Sequence, residues 1–242
     1  MRKVLLMLGL ISALVLSACS PEISTPEDQS SQDEMMEEAM VSHVEFKVRV
    51  ENIAGDETIL LAPGVWVLFD EGAPIFAAGE ADRGFGLETL AEDGDPSVLS
   101  ASLGDYLGVV EAGVFNTPSG ASEPGPLSPE GIYEFEFHAE DGQRLGLATM
   151  YVQSNDLFYA PESGGIELFD EAGRPLKGEI TGSILLWDAG TEVNQTPGEG
   201  SDQAPRQTGA ETGEDEMGVI RLVDDGFAYP NNVIKVTIST LP

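Results

Sequence analysis

Apolar and polar residues alternate strictly in several short stretches of the chain. Between residues 44 and 51, valine or phenylalanine occupies every second position, with charged residues between them. Residues 133–138 repeat this pattern, with aromatic residues alternating with glutamate and histidine. A period of two turns one set of side chains inward and the other toward water, which predicts half-buried β-strands. Further strands are predicted at residues 65–69, 145–152, 166–169, 180–187, 218–223 and 233–239.

Clusters of Gly, Pro, Asp and Asn separate these stretches and predict turns. Only residues 87–103 have a partly helical pattern, which Asp93-Gly94-Asp95-Pro96 interrupts. About eight strands without long helices between them predict an all-β fold, an antiparallel eight-stranded β-sandwich with one short helical segment. Residues 67–74 resemble residues 167–175. Nothing else matches at that offset, so we interpret both as similar strand-and-turn units rather than a duplication.

The amino-terminal residues predict an exported, lipid-anchored protein. Arg2 and Lys3 precede an apolar run at residues 4–16, which is too short to span a bilayer and is typical of a secretory signal. Leu16-Ser17-Ala18-Cys19 closes the run and resembles the lipobox of bacterial lipoproteins. This resemblance implies that residues 1–18 are a signal peptide and that Cys19 is lipidated. We therefore expect attachment to the cell envelope, at the outer membrane or the cell surface, through acyl chains.

Residues 19–42 are predicted to be the lipidated cysteine followed by a flexible acidic tether, because they are polar and lack hydrophobic periodicity. Met35, Met36 and Met40 near its end are interpreted as one frayed helical turn rather than a copper site. The predicted folded domain is residues 43–242.

Composition removes several classes of function. Asp and Glu number 43 against 11 Lys and Arg, a formal net charge of −32, so nucleic acid is excluded as a partner. One cysteine rules out an intramolecular disulfide framework and any multi-cysteine zinc site. His43 and His138 fall on the polar phase of predicted strands, and no standard catalytic motif is present. We therefore predict that the protein is not an enzyme.

Three carboxylates form a candidate metal site. Asp156 lies in the segment after the strand predicted at 145–152, and Asp188 and Glu192 lie in the segment after the strand predicted at 180–187. If both strands end at the same rim of the sandwich, these side chains converge, and Gly190 lets the backbone turn between the last two. Hard oxygen ligands suit calcium. The alternative is that these acids only form turns.

The predicted domain contains a series of short motifs: GLE at 86–88, AEDG at 91–94, GVFNTP at 113–118, PGPL at 124–127, ATM at 148–150, SNDLF at 154–158, WDAGTE at 187–192 and QAPRQ at 203–207. Through these motifs the chain from about His43 onward resembles a spondin domain, in the bacterial lipoprotein branch of that family. The resemblance implies a sandwich like the calcium-dependent lipid-binding domains, with calcium held by loops at one end, by Asp156, Asp188 and Glu192. Glu192 stands where the animal proteins more often have Asp. The chain lacks the cysteines that staple those relatives, so their partners are not transferred.

The connection at residues 194–217 is longer than a loop that only joins two strands needs to be. Two interpretations stay open. The segment is either a disordered acidic insertion, or it folds over the rim so that Arg206 neutralises the carboxylates or contacts a ligand.

These features together predict a lipid-anchored binding or adhesion module. We expect a monomer that carries a calcium site and engages an extracellular polysaccharide or a protein. Two alternatives stay open, a carboxylate-dependent polysaccharide hydrolase and a passive acidic surface protein.

Overall fold

A computed structural model describes residues 43–242. The predicted signal peptide, the lipidated Cys19 and the tether lie outside these residues. Within the described range the chain forms eleven strands, of which eight have at least four residues, and two short α-helices. The strands are β1 Val44–Asn52, β2 Leu61–Phe69, β3 Val109–Phe115, β4 Ile132–Ala139, β5 Arg144–Tyr151, β6 Leu157–Ala160, β7 Ile166–Glu167, β8 Gly178–Glu179, β9 Leu185–Asp188, β10 Arg221–Leu222 and β11 Ile234–Thr240; the helices are α1 Leu87–Asp93 and α2 Ser97–Leu103.

The strands form two antiparallel sheets that pack as a sandwich, which confirms the predicted fold class. The four-stranded sheet has the order β4-β1-β11-β8, and the larger sheet has the order β10-β9-β6-β5-β2-β3, with β7 beside β5. In the smaller sheet, Val48 of β1 pairs with Phe135 on one side and Ile238 on the other. The three side chains therefore share the inner face.

Aromatic side chains fill the space between the sheets. Trp66 of the larger sheet stacks on Phe135 of the smaller one, with ring centroids 5.5 Å apart and planes 5° from parallel. Phe137 lies beside the same indole at 5.4 Å and stacks on Phe46 at 5.6 Å. Because Phe135 and Phe137 occupy alternate positions of β4, the predicted period of two builds this core directly.

The helices cover the other face of the larger sheet, so β2 is buried on both faces. Leu87 and Leu90 of α1 and Leu99 and Leu103 of α2 are buried in this second core. The predicted helical segment at 87–103 is thus two helices, separated where Gly94 ends α1 with a φ of 69°. Within residues 43–242, no helix is long and apolar enough to cross a membrane.

Several strand predictions differ from the structure in extent. Residues 180–187 include a 3-10 turn at Thr181–Ser183, and the segments predicted as strands at 166–169 and 218–223 each contain only a two-residue strand. β3 was not predicted, because glycine interrupts its apolar pattern. A Cβ at Gly113 would lie 2.7 Å from Trp66 Nε1, so packing against the indole requires glycine there.

Candidate metal centre

Two of the predicted carboxylates meet where β6 begins and β9 ends. These strands are antiparallel neighbours, and Leu157 pairs with Asp188. Asp156 therefore lies beside the end of β9, and its backbone carbonyl accepts a hydrogen bond from Ala189 N–H at 3.2 Å. Glu216 completes the only three-residue acidic group of metal-binding geometry in residues 43–242, with one oxygen from each residue within 4.8 Å of the others.

Asp156 is fully buried, and only one of its two carboxylate oxygens is satisfied. Oδ2 accepts hydrogen bonds from the backbone N–H groups of Thr191 at 2.9 Å and Glu192 at 3.2 Å. Oδ1 has no hydrogen-bond partner among the described residues. Burial, followed by the nearby charge of Asp188, raises the pKa of Asp156 to about 7. A buried charged oxygen without a partner is unfavourable, so this atom requires a proton or a cation.

Asp188 is equally buried but has donors on both oxygens. Oδ1 accepts the Gly190 N–H at 2.8 Å. Oδ2 accepts the Asn194 side-chain amide at 2.7 Å and Arg221 Nη2 at 2.8 Å. Burial raises the pKa of Asp188, while the Arg221 charge opposes the rise. Three hydrogen bonds therefore fix the orientation of the Asp188 side chain.

A tight turn at Gly190 brings Glu216 to the two aspartates. Gly190 has a φ of 70°, and a Cβ there would lie 2.7 Å from Val219 O. Gly218 N–H donates to Gly190 O at 2.7 Å, and Glu216 N–H donates to Thr191 O at 2.8 Å. The absence of a side chain at residue 190 thus lets the incoming segment pack closely enough to place its glutamate in the cluster.

Glu192, the third predicted ligand, lies next to this cluster rather than in it. Its side chain is buried, Oε2 accepts the Asn155 amide at 3.1 Å and Oε1 accepts Gly213 N–H at 2.8 Å. Both oxygens of Glu192 are directed toward these donors. The third acid of the cluster is Glu216. Glu216 precedes a predicted strand, but no local pattern distinguishes it from the adjacent acids.

Arg221, and not Arg206, supplies the positive charge at the cluster. Arg206 Nε donates to Gly200 O at 2.6 Å, and both terminal nitrogens donate to Gln153 Oε1 at 3.1 Å. No carboxylate of the described chain lies within ion-pairing distance of Arg206. Arg206 therefore holds the loop at 194–217 against the body of the domain.

This loop packs on the rim, which favours the folded interpretation over a disordered insertion. Gln203 is fully buried and accepts the Gly198 N–H at 3.0 Å. Gln207 donates to Asp93 Oδ1 at 2.7 Å, which ties the loop to the end of α1.

Glu92 on α1 is a further buried acid near the cluster. It is 2% exposed, and Oε1 has no partner among residues 43–242. Burial raises its pKa to about 8, and the charges of Glu192, Glu88 and Asp156 add to the rise, opposed by a hydrogen bond from Thr191. Sequence reasoning included Glu92 only within a motif, because an acid on a short helix carries no signal of burial.

The three-residue cluster fits a hard divalent cation. Calcium binds oxygen at about 2.3–2.6 Å, so ligands on opposite sides of the ion lie about 4.6–5.2 Å apart. The three oxygens lie within 4.8 Å of one another, so one ion can contact all three. Asp156 Oδ1 is a buried oxygen to which no group of residues 43–242 donates a hydrogen bond. Asp156, Asp188 and Glu216 are therefore the residues that would hold the ion.

Comparison with known proteins adds no identification. No protein-family model matches the chain, and no curated protein matches its sequence. The resemblance to spondin domains stays a prediction from the motifs.

Proposed function

We propose that residues 43–242 form a binding module whose loop rim is organised by a divalent cation, calcium being the ion that best suits the ligand set. The observation that carries the proposal is the fully buried Asp156, whose Oδ1 has no partner in the described chain. A cation beside that oxygen would replace the hydration that the carboxylate loses on folding.

The charge balance of the cluster supports the same proposal. Asp156, Asp188 and Glu216 contribute three carboxylates, and Arg221 is the cation paired with two of them. The cluster therefore keeps an excess of negative charge when all three acids are ionised. In a site from which water is excluded, this excess attracts a divalent ion more strongly than the same charges do at an exposed surface.

Burial of the two aspartates favours binding over hydrolysis. A glycosidase places two carboxyl groups on opposite sides of an accessible sugar linkage. Asp156 and Asp188 are both 0% exposed, so their oxygens do not face a substrate groove. The proposal is accordingly a non-enzymatic module.

The cellular setting of the proposal rests on the sequence. A lipidated Cys19 and an acidic tether would hold the module at the cell envelope, as in the bacterial spondin-like lipoproteins that the motifs resemble. The cation would stiffen the rim loops, which are the surface offered to an extracellular polysaccharide or protein. We propose a monomeric module, since a rim site of this kind needs no second subunit.

Thermal unfolding with and without calcium tests the proposal. We expect the melting temperature of the full-length chain, purified in detergent, to rise with millimolar calcium and to return when a chelator is added. Asp156→Asn should abolish the rise. Asp141→Asn, in an exposed turn, should leave it intact. An unchanged melting temperature at several millimolar calcium would overturn the cation proposal.

Metabolic labelling with a fatty acid tests the anchor separately. The wild-type chain should incorporate the label and fractionate with membranes, and Cys19→Ala should do neither. Equal labelling of both chains would contradict the lipobox interpretation.

A further inference from the structure

We infer that Arg221 is a built-in competitor for the cation, a guanidinium that occupies part of the ligand set and sets which ions can bind there. This inference rests on the proposed function, because it concerns the selectivity of the same site.

The contacts of Arg221 overlap with the contacts that a cation needs. Nη2 lies 2.8 Å from Asp188 Oδ2 and 2.7 Å and 2.9 Å from the two oxygens of Glu216. Two of the three acidic residues of the cluster are therefore already paired with a positive group. An ion that coordinates either of those oxygens must share it with the guanidinium or displace it.

Asp156 is not part of this pairing. Its Oδ2 is held by backbone N–H groups, and its Oδ1 is without a partner in the described chain. Asp156 thus offers an oxygen that no donor of the described chain occupies, whereas Arg221 already contacts Asp188 and Glu216. An ion that binds all three acids must compete with Arg221 for the last two.

The position of Arg221 would allow its side chain to move away from the cluster into solvent. It lies on β10, a two-residue strand at the edge of the larger sheet, directly opposite Asp188. Its side chain is 37% exposed, whereas that of Asp188 is 1% exposed. Its other terminal nitrogen makes a contact with Val219 O at 3.3 Å, a long hydrogen bond. A displaced guanidinium can therefore move into water while the aspartate stays in place.

Pairing of Arg221 with the carboxylates favours binding of ions that have a high charge density. A guanidinium carries one charge spread over a planar group, and it is more weakly hydrated than a compact ammonium. A divalent ion offers twice the charge at a shorter distance to oxygen, so it can displace the guanidinium where sodium or potassium cannot. Arg221 would keep the site closed to monovalent ions and would raise the calcium concentration needed to fill it.

Calorimetric titration of three full-length chains in detergent tests the inference, with calcium chloride and sodium chloride as the probes. Arg221→Gln should bind calcium at least about tenfold more tightly than the wild type. Charge pairs at such distances interact with a free energy larger than that of a tenfold change in affinity. Its calcium affinity should also become sensitive to sodium. Arg174→Gln, which removes an exposed pair with Asp170, should match the wild type.

Each outcome decides between the two proposals. If the wild type binds calcium and Arg221→Gln binds it equally or more weakly, the competitor role is wrong and the cation site stands. If only Arg221→Gln binds calcium, the competitor role holds and calcium binding by the natural chain is wrong. If neither binds, both are wrong. Should Arg221→Gln fail to fold, Arg221→Met decides. It removes the competing charge but keeps much of the aliphatic stem, so this variant should also bind calcium at least about tenfold more tightly than the wild type.

Discussion

Carboxylates occur in two contrasting settings in this domain. On the outer face of the four-stranded sheet, Lys47 Nζ lies 3.1 Å from Glu134 and 3.4 Å from Glu136, and each glutamate is about a third to a half exposed. At the rim, Asp156 and Asp188 are fully buried around one partly exposed arginine. The residue types and distances are similar, and the difference is access to water.

That difference decides what the charges can do. Water screens the pairs on the sheet face, so each contributes little to stability. At the rim, burial raises the pKa of Asp156 to about 7 and leaves one oxygen without a partner in the described residues. The formal charge of −32 therefore says little about the site, which depends on a few acids removed from solvent.

The largest effect expected from this contrast is on stability as a function of pH. The pKa of Asp156 is about 7 in the folded chain against its ordinary value of 3.8, so folding favours its protonated form. Its stabilising contribution is complete below about pH 4 and is lost as the pH rises through 7. The integrated loss is up to about 4 kcal/mol. Denaturant unfolding in calcium-free buffer measures it.

Asp156→Asn is the matched comparison, since it removes the titrating group and keeps the shape. The variant should gain stability relative to the wild type between pH 4 and pH 8, and saturating calcium should reverse the order at pH 8. If the free energies of unfolding of the two chains change with pH in parallel, the pKa of Asp156 is not raised by folding.

The next effect is a structural one on the same rim. Gly190→Ala places a Cβ 2.7 Å from Val219 O at a φ of 70° and should lower the free energy of unfolding by about 2–4 kcal/mol. Gly173→Ala is its control, because it has a φ of 69° with its nearest neighbour atom at 3.9 Å. It should cost about 1 kcal/mol, the penalty of the left-handed conformation alone. Equal costs, measured by urea unfolding, would remove the close-packing explanation for Glu216.

The smallest effect is expected on the sheet face. Glu134→Gln removes a partner of Lys47 and of Arg49, but water and the remaining acids replace it. We expect the melting temperature to change by less than about 3 °C and the calcium response to stay unchanged. A loss of calcium binding in this variant would place the cation on the outer face instead of the rim.

The sequence predicted the parts of this molecule that depend on local patterning. Alternation identified β1 and β4, and the Asp93-Gly94-Asp95-Pro96 interruption located the break between α1 and α2. Asp156 and Asp188 were both identified, and they meet because the start of β6 lies beside the end of its antiparallel neighbour β9.

The remaining site residues depend on contacts distant in sequence. Glu216 reaches the cluster through backbone bonds to residues 190 and 191, and Glu192 is turned away by Gly213 N–H. Arg221 rather than Arg206 supplies the charge because β10 pairs with β9. No spacing along the chain encodes those pairings. The sequence pattern therefore predicts an acidic rim but does not identify Glu216 or Arg221 as part of it.

Anomalous diffraction from crystals grown with calcium tests the central claim most directly. We predict one anomalous peak about 2.3–2.6 Å from Asp156 Oδ1, within reach of Asp188 and Glu216, with the Arg221 guanidinium displaced toward solvent. Crystals of Asp156→Asn should lack the peak. A wild-type map with no peak at Asp156, with Arg221 still paired to Asp188 and Glu216 at saturating calcium, would contradict the account.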